Sequence, residues 1–304
     1  MNLTHLYYFR KLIEVGSYTN AAEELYITQP TLSLAVSNLE SELGCALIKK
    51  RRSPKLELTQ DGEDFYQAVV VACNALDNVT RTIKERTASE NSTLSVGMVS
   101  SIQNSDWSNA IRKYHESTRQ HVHVTWKQGT TAGLMKDLKD GSLDAIMAGV
   151  LEKRDSDIVS IPASAQSVCL LVNKANPLAN RESISLDELT DMPIITYKSK
   201  GGPFAIEITS LIGKRKNLSI AYEYNDEITL ASLVTADSRI VAIACHSWLI
   251  EAFHDVVPIP IDEAPIDFHR FYVSYRKQER LPLALQEFVN FMKDYDFNAK
   301  AENQ

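Results

Sequence analysis

The spacing of hydrophobic residues changes at residue 59, and this change limits the folds that the chain can adopt. After residue 59, apolar side chains recur at spacings of four and three, which is typical of the seam of a long amphipathic helix. The seam residues are Phe65, Val69, Ala72, Leu76, Val79 and Ile83. At about 28 residues the helix would be roughly 40 Å long. Because so few heptads do not stand alone in water, we expect the helix to pair with a second chain or to dock inside its own.

Residues 1–58 precede this helix and show three short helical patterns followed by an alternating stretch. Gly16 ends the first pattern, and Thr19 is the expected cap of the second. Thr28 can cap the third helix, which Gly44 ends. The third helix has a predicted buried stripe of Leu32, Val36, Leu39 and Leu43. Residues 46–58 alternate around a Ser-Pro turn and predict a small β-hairpin. Three helices and a hairpin outline a winged helix-turn-helix.

Positive charge is concentrated at one point of this N-terminal region. The whole chain of 304 residues has a net charge of −7. Its predicted hairpin nevertheless carries a compact basic run, consisting of Lys49, Lys50, Arg51, Arg52 and Lys55. An acidic protein with one compact basic cluster predicts a local contact with a polyanion.

From residue 92 onward, predicted strands and helices alternate. The predicted strands lie near residues 94–98, 121–126, 143–148, 168–172, 194–197, 220–224, 240–244 and 268–275. Helices are predicted near residues 131–140, 204–212, 227–236 and 283–295. Alternation of this kind predicts mixed, largely parallel sheets covered by helices. About 210 residues are enough for two such subdomains.

Motifs in the N-terminal region resemble a known family. The segment 17–47 carries Ala21-Ala22-x-x-Leu25, then Thr28-Gln29-Pro30-x-Leu32-Ser33, and then Leu43-Gly44-x-x-Leu47; Leu58-Thr59-x-x-Gly62 follows the hairpin. This pattern is similar to the DNA-binding end of LysR-type bacterial transcription regulators, and the order of elements extends the resemblance more loosely over the whole chain. The resemblance implies a homotetramer, a dimer of dimers, on double-stranded promoter DNA. It also implies a small-molecule effector between two subdomains, and RNA polymerase as a partner if the protein is an activator.

The expected fold class is therefore a multidomain α+β protein. We expect a winged helix-turn-helix at residues 1–58, and a linker and dimerisation helix with a hinge at residues 59–91. Residues 92–304 would form a periplasmic-binding-protein-like α/β effector domain. Within it, subdomain I would cover about 92–162 together with 267–304, and subdomain II about 163–266. The seam residues Phe65, Val69, Leu76, Val79 and Ile83 are the predicted dimer contacts, with docking inside the chain as the alternative.

The predicted third helix has the outward face that major-groove binding requires, with short polar side chains near its N-terminus. That face consists of Gln29, Pro30, Thr31, Ser33, Leu34, Ser37 and Asn38. Gln29 and Asn38 can form paired hydrogen bonds with a base edge, and the serines suit phosphate oxygens. Because this face lacks a cation, we expect Lys50, Arg51 and Arg52 in the wing to neutralise phosphates. A merely solvated helix face is the alternative.

Hydroxyl side chains mark a second candidate site in the α/β half. Ser100 and Ser101, and likewise Thr130 and Thr131, follow a predicted strand and open a helix, where free N–H groups favour a carboxylate or another anion. The resemblance places the first of these strand ends in an effector cleft. Tyr197 and Lys198 end a strand of the second subdomain and are the candidates for closing it. The six residues predict a site for an anionic metabolite, with helix capping alone as the alternative.

The sequence lacks the motifs and segments that are typical of several functional classes. The longest apolar runs, at residues 68–73 and 240–245, are too short to span a membrane, which needs about 20 residues. We read no signal peptide and expect a cytoplasmic protein with free thiols rather than disulfides. His121 and His123 form at most a weak metal pair, and His246 is expected to be a surface residue near the cleft rim. Motifs of hydrolases, zinc proteases and nucleotide-binding enzymes are not found, so we expect no enzyme, no cofactor and no metal.

Three functional classes stay open at this point. The favoured one is a sequence-specific DNA-binding regulator whose promoter binding responds to an effector. A second is a DNA-binding regulator whose α/β half serves only oligomerisation, without a physiological ligand. The third is a solute-binding protein or an enzyme.

Overall fold

The computed structural model describes residues 1–49, 56–87, 92–103, 105–118, 122–149, 155–190, 192–198, 202–213, 218, 220–224 and 226–297. The chain divides into two compact units, Met1–Ala88 with Asp140–Ser142 and Ser89–Lys139 with Leu143–Gln304. None of the helices in the described ranges combines the length and the apolar character that crossing a bilayer requires. All four cysteines are free thiols, as expected.

The first unit is built from helices that begin and end at the predicted kinds of residue. They are α1 (Leu3–Val15), α2 (Tyr18–Glu24), α3 (Gln29–Leu43) and α4 (Gln60–Thr87). Asn2, Ser17 and Thr28 cap the first three helices with side-chain oxygens that accept backbone N–H bonds. The cap of the second helix is thus Ser17 rather than the expected Thr19. Gly16 and Gly44 end α1 and α3 in the left-handed conformation, at φ 74° and 72°.

The core of this unit includes the beginning of the long helix. Phe9, Leu12, Leu32, Leu39 and Leu47 are fully buried, and residues of the first turns of α4 pack against them. Gly62 lets α4 approach closely, because a Cβ atom at this position would lie 2.0 Å from the carbonyl oxygen of Leu47. The Thr59 hydroxyl caps this end of the helix by accepting a bond from the Gly62 N–H at 2.9 Å.

The described base of the hairpin has the predicted antiparallel pairing. Ile48 bridges Leu58, and the Lys49 N–H donates to the carbonyl oxygen of Glu57 at 2.9 Å. Glu40, on α3, accepts bonds from the N–H groups of Leu47 and Ile48 at 2.8 and 3.2 Å. The carboxylate therefore fixes the base of the wing to α3. Residues 50–55 lie outside the described residues.

The second unit contains two mixed sheets. The strands of the first sheet are β1 (Thr93–Met98), β2 (His123–Gln128), β3 (Ala145–Gly149), β4 (Ile158–Gln166) and β10 (His269–Arg276). Those of the second are β5 (Val168–Asn173), β6 (Ile194–Tyr197), β7 (Ile220–Tyr224), β8 (Val241–Cys245) and β9 (Val256–Pro260). The spatial orders are β2-β1-β3-β10-β4 and β7-β6-β8-β5-β9. In each sheet one strand, β10 or β5, runs antiparallel to both of its neighbours.

Helices cover the two sheets. The helices that follow strands of the first sheet are α5 (Ser105–Ser117), α6 (Thr131–Asp140) and α9 (Leu283–Asp294). Those of the second are α7 (Pro203–Ile212) and α8 (Glu227–Ala236). Separate buried clusters fill the two subdomains, so each sheet has its own core. The fold class is the expected one, a winged helix-turn-helix followed by a two-sheet α/β domain.

Two of the strands are absent from the sequence prediction, and both lie at sheet edges. β4 contains Pro162 and only half-buried or exposed side chains, while β9 contains Pro258 and Pro260. Proline in a strand usually argues against a strand, but an edge tolerates it because an edge strand has unpaired N–H positions. With these strands the sheets are less parallel than expected. The chain first passes between the sheets at Ser167, after β4.

Candidate functional site

One face of α3 belongs to the core and the opposite face is free. Leu32, Ala35, Val36 and Leu39 are buried. The predicted DNA-binding residues of this helix are all exposed: Gln29, Pro30, Thr31, Ser33, Leu34, Ser37 and Asn38. Leu34, the large apolar member of the set, is 63% exposed. The helix thus presents a polar face, with one aliphatic side chain, to solvent.

The N-terminal turn of α3 is fixed by its own cap. The Thr28 hydroxyl accepts a bond from the Thr31 N–H at 3.3 Å, and the two hydroxyl oxygens are 2.8 Å apart. The Thr31 hydroxyl is therefore engaged in the cap, which the sequence prediction did not include. Pro30 occupies a first-turn position where its missing N–H removes no helical bond.

The predicted cations of the wing cannot be placed, because Lys50, Arg51 and Arg52 lie outside the described residues. Lys49, at the described base of the wing, is exposed, and its Nζ lies 3.7 Å from a carboxylate oxygen of Glu57. The wing base is thus fixed in position by Glu40 and by backbone pairing.

The predicted seam of α4 divides into a half that packs in the core of the first unit and a half that is exposed. Val69 is 2% exposed, and Phe65 packs beside it in the core of the first unit, with its ring centroid 5.6 Å from that of Phe9. These two residues thus pack inside their own chain, where α4 covers α1, which is the alternative that the sequence left open, and their role as dimer contacts stays a prediction. Leu76, Val79 and Ile83 are 46%, 59% and 49% exposed. They form the exposed seam.

A polar contact fixes the middle of α4 to α1. The Tyr7 hydroxyl donates to the Asp77 carboxylate at 2.6 Å, and an Arg10 nitrogen lies 3.6 Å from the same carboxylate. The hydrogen bond to Asp77 raises the pKa of Tyr7 to about 12, so the phenol stays a donor at neutral pH. The winged helix and this part of α4 are therefore one rigid assembly.

The second unit has an open cavity of about 400 Å³ between its two sheets. Residues from the ends of β1 and β2 and the start of α6 form one wall, and residues from β6, β7 and the starts of α7 and α8 form the other. The first wall consists of Val99, Ser100, Ser101, Gln128, Gly129, Thr130 and Thr131. Facing it are Tyr197, Gly202, Pro203, Phe204, Ala205, Tyr224, Asp226 and Glu227, while His269 and Phe271 of β10 complete the lining.

This cavity brings together most of the predicted effector residues. Ser100, Ser101, Thr130, Thr131 and Tyr197 line it. Lys198 does not. Its N–H donates to the Tyr224 carbonyl oxygen at 2.9 Å and so continues the strand pairing, while its side chain is exposed. The alternation of faces along a strand places neighbouring side chains on opposite sides, so Tyr197 and Lys198 do not share the site.

Some of the hydroxyl groups in the first wall of the cavity already form hydrogen bonds within the protein. The Ser100 hydroxyl accepts a bond from the Gln128 amide at 2.6 Å, and the Thr130 hydroxyl accepts one from the Gly133 N–H at 3.2 Å, as a helix cap does. Within the described ranges, no hydrogen bond engages the hydroxyl of Thr131. It stands in the first turn of α6, where helical N–H groups lack internal partners.

The opposite wall is aromatic and acidic. The ring centroids of Tyr197 and Phe204 are 4.9 Å apart in an edge-to-face arrangement, and those of Phe204 and His269 are 5.0 Å apart. The Tyr197 hydroxyl accepts a bond from the Cys245 N–H at 3.2 Å, and the Glu227 carboxylate lines the same wall. Burial raises the pKa of Tyr197 well above its ordinary value, and it raises the pKa of Glu227 as well.

His269 connects the strand it occupies to a helix of the other subdomain. Its Nδ1 lies 2.6 Å from a carboxylate oxygen of Glu207 on α7, and its ring packs against Phe204 and Phe271. The sequence prediction missed His269 and Glu227. Glu227 had a usable signal, because it opens a helix after a strand as Ser100 and Thr131 do. His269 begins a strand and carries no local signal.

The remaining candidates lie elsewhere. His246 is exposed and does not line this cavity. His123 is exposed on β2, and His121 lies outside the described residues. Among the described residues, no group of three metal-ligating side chains is close enough to hold an ion.

Comparisons with known proteins agree with this architecture. Residues 3–63 match the model for the bacterial regulatory helix-turn-helix protein of the lysR family, and residues 87–296 match the LysR substrate binding domain. The regulator BenM of Acinetobacter baylyi is 28% identical over 286 residues, which cover 92% of this chain and 91% of BenM. AlsR of Bacillus subtilis is 26% identical over 297 residues, which cover 95% of both chains.

Solved structures extend the likeness to the fold of the whole chain. Full-length CbnR in complex with its target DNA has a TM-score of 0.71 and 20% identity, over 96% of this chain and 99% of CbnR. A full-length OxyR variant from Pseudomonas aeruginosa has a TM-score of 0.70 and 20% identity, over 98% of this chain and 96% of OxyR.

The winged helix, the long helix and the two-sheet domain thus define a DNA-binding transcriptional regulator with an effector-binding domain. This chain belongs to the LysR family of bacterial regulators.

Proposed function

We propose that this regulator reads a promoter through the exposed face of α3, with the wing beside it, and that a small molecule in the cavity changes this binding. The exposed polar face of α3 is the observation that carries the DNA half of the proposal. Its side chains have no packing role, while a buried stripe and a cap fix the helix beneath them. CbnR, whose solved complex contains target DNA, has the same fold.

On this surface we assign the residues different tasks. Gln29 and Asn38 carry amides that can pair with a base edge, Ser33 and Ser37 suit phosphate oxygens, and Leu34 suits a thymine methyl group. Lys50, Arg51 and Arg52 would supply the phosphate neutralisation that the helix lacks. Arginine and lysine in a trailing wing give affinity for any duplex, whereas the amides give the preference for one sequence.

We propose that the protein acts as a homo-oligomer. The exposed seam of Leu76, Val79 and Ile83 is an apolar stripe on a helix, and such a stripe is stable when a second helix covers it. A pair of chains would present two recognition helices to a two-fold related site. A dimer of such dimers is the assembly that the family resemblance implies.

The cavity supports the effector half of the proposal. It has the size and the mixture of aromatic, hydroxyl and charged groups that small-molecule sites have. An effector changes DNA binding only if it prefers one arrangement of the oligomer, by a few kcal/mol. The protein would then be a regulator rather than an enzyme, acting in the cytoplasm on DNA, with RNA polymerase as a partner if it activates transcription.

A two-part titration tests this proposal. The full-length protein is titrated onto the duplex immediately upstream of its own gene, at low ionic strength, in a gel-retardation assay. We expect a retarded complex at lower protein concentration than with a shuffled duplex, and a shift of its midpoint when a cavity ligand is added. Failure to retard the upstream duplex would contradict the DNA half. A ligand that binds the protein and leaves the midpoint unchanged would favour the alternative in which the α/β half serves only oligomerisation.

A further inference from the structure

The two walls of the cavity differ in chemistry, and the difference points to a kind of ligand. One wall offers hydroxyl and amide groups with the start of α6, which suit a carboxylate. The other offers aromatic rings and the Glu227 carboxylate, which do not. Among the described lining residues, acids are present and lysine and arginine are not. A purely anionic ligand would satisfy only half of this site.

We propose that the ligand carries a protonated amine, which Glu227 binds beside the rings of Tyr197, Phe204 and Tyr224. This inference rests on the proposed function, because it concerns the same cavity. With a carboxylate at the wall of Ser101 and Thr131, the ligand is a zwitterion of the amino-acid type.

The position of Glu227 carries the proposal. The carboxylate is partly buried and lines the cavity beside Tyr197 and Phe204. A carboxylate loses hydration when it is buried, and a bound ammonium ion would restore the lost interactions. Asp226 differs, because both of its carboxylate oxygens already bond to Thr229 in the cap of α8. Glu227 is thus the acid with capacity for a ligand.

The aromatic rings supply the second half of the amine site. Tyr197, Phe204 and His269 form an edge-to-face chain along this side of the cavity. Ring faces attract a cation, most strongly where water is excluded. His269 is itself bonded to Glu207, so its Nδ1 is occupied. A carboxylate beside several rings is a typical chemical environment for a protonated amine.

Matched pairs of probes test the amine directly. The full-length protein is examined by thermal unfolding and calorimetry with L-glutamate against glutarate, L-norvaline against valerate, and L-phenylalanine against 3-phenylpropionate. We expect the amine-bearing member of at least one pair to raise the unfolding temperature, and its partner without the amine to have no effect at the same concentration. Glu227→Gln should lower the affinity at least tenfold, and Phe204→Leu about two- to fivefold. Glu223→Gln, at an exposed position outside the cavity, is the matched control and should bind as the parent does.

Three results would overturn the proposal that the ligand carries an amine. The first is equal affinity for both members of every pair that binds, and the second is unchanged affinity in Glu227→Gln. The third is an unfolding temperature that no amine-bearing probe changes. Suppose instead that a probe without an amine binds to the parent protein and that this binding is lost in Thr131→Val. The cavity would then still be the effector site, and only the proposal of an amine-bearing ligand would fail. The failure of this inference is therefore distinct from the failure of the proposed function.

A separate observation concerns the turn that precedes α3. Tyr26 is 96% exposed, and among the described residues other than glycine it alone has a positive φ, 55°. A bulky residue in the left-handed region is strained, and glycine or asparagine adopts it more easily. The neighbouring N–H groups of Leu25 and Ile27 bond back to α2, so the turn is held in this shape. Neither burial nor conformation explains a tyrosine here.

We infer that Tyr26 contacts DNA by donating its hydroxyl to a phosphate oxygen beside the groove that α3 enters. The residue lies two positions before Thr28, the cap of α3, and Gln29 and Pro30 at the start of that helix are exposed as well. Tyrosine hydroxyls are common donors to phosphates, and such contacts fix the position of a protein without reading sequence.

Substitutions at this position separate the contact from the fold. Tyr26→Phe should lower the affinity for the upstream duplex and for a shuffled duplex alike, about threefold to tenfold, with an unchanged slope against salt because the lost group is neutral. Tyr26→Gly should raise the unfolding temperature and still lower affinity. Tyr222→Phe, at an exposed strand position of the second unit, is the control. Parent-like affinity in Tyr26→Phe would overturn the inference.

Discussion

The surface of α3 and the cavity of the second unit are both polar, but the fold uses their polar groups differently. On α3 most of the polar side chains of the outward face are directed into water. In the cavity many of the polar groups already bond to one another, as Ser100 does with Gln128 and His269 with Glu207. From this comparison we expect the face of α3 to bind DNA through groups that are already exposed, and we expect a ligand of the cavity to compete with the bonds that its polar groups already form.

A substitution that disrupts the packing beneath α3 should weaken DNA binding by that helix and leave ligand binding in the cavity unchanged. In Gly62→Ala the new methyl group would meet the Leu47 carbonyl oxygen at 2.0 Å, so the backbone must move. We expect a loss of about 3 kcal/mol or more in the free energy of unfolding of the first unit, and loss of DNA retardation. Calorimetry with a cavity ligand should show unchanged binding. Gly133→Ala, on α6 of the second unit, is the control, because the new methyl group there would meet only the Thr130 hydroxyl oxygen, at 3.3 Å, and an equal loss of DNA binding there would contradict the account.

Removal of the exposed seam tests whether two recognition helices act together. Val79→Glu places a charge in the apolar stripe of α4, and we expect the oligomer to dissociate in analytical ultracentrifugation. Affinity for the upstream duplex should fall by about 10²-fold, because two linked contacts become independent. Thr80→Glu changes the adjacent exposed residue and should have little effect. An intact oligomer in Val79→Glu would show that this stripe is not the interface.

The wing should control affinity for all DNA sequences. Replacing Arg51 and Arg52 by alanine removes two cations, so the slope of log affinity against log salt should flatten by about 1.8, and affinity at moderate salt should fall roughly tenfold or more. A shuffled duplex should show the same change. If affinity and slope are both unchanged, the wing does not contact phosphate.

The smallest expected effect concerns the cavity and its pH dependence. The raised pKa of Glu227 means that its proton is bound more tightly in the folded state, so stability falls as pH rises from about 4.5 through the folded value. Glu227→Gln should therefore raise the unfolding temperature at pH 7.5 by about 1–4 °C. The gain should shrink toward pH 4.5. Glu223→Gln should show no such pH dependence, and a gain that is constant with pH would contradict the assigned burial.

The amount that sequence can predict also differs between the two surfaces. The face of α3 follows from a local period of 3.6 and from the caps at Thr28 and Gly44, so the exposed residues can be named in advance. The cavity depends on which strand ends meet. Strand-to-helix turns identify Ser100 and Thr131, but Glu227 stands at a turn of the same kind and is absent from the prediction. His269 requires knowledge of the partner strands, and Lys198, which follows the last residue of β6, does not line the cavity.

The long helix shows the same limit in another form. Its predicted seam has the correct period. The period alone, however, does not show which seam residues pack inside the first unit and which stay exposed. Phe65 and Val69 face α1, whereas Val79 and Ile83 face solvent, and only the tertiary contact of α4 with Phe9 separates them. The edge strands with Pro162 and Pro258 escape prediction for a related reason, since edge position is a property of the sheet rather than of the segment.

The claim that α3 reads base sequence is tested most directly by comparing two duplexes with one substitution. Asn38→Ala is titrated by fluorescence anisotropy onto the upstream duplex and onto a shuffled duplex at the same salt concentration. We predict that affinity for the upstream duplex falls by the equivalent of about 1–3 kcal/mol, while affinity for the shuffled duplex stays unchanged. An equal loss on both duplexes, or no loss on either, would contradict the assignment of this helix face to base recognition.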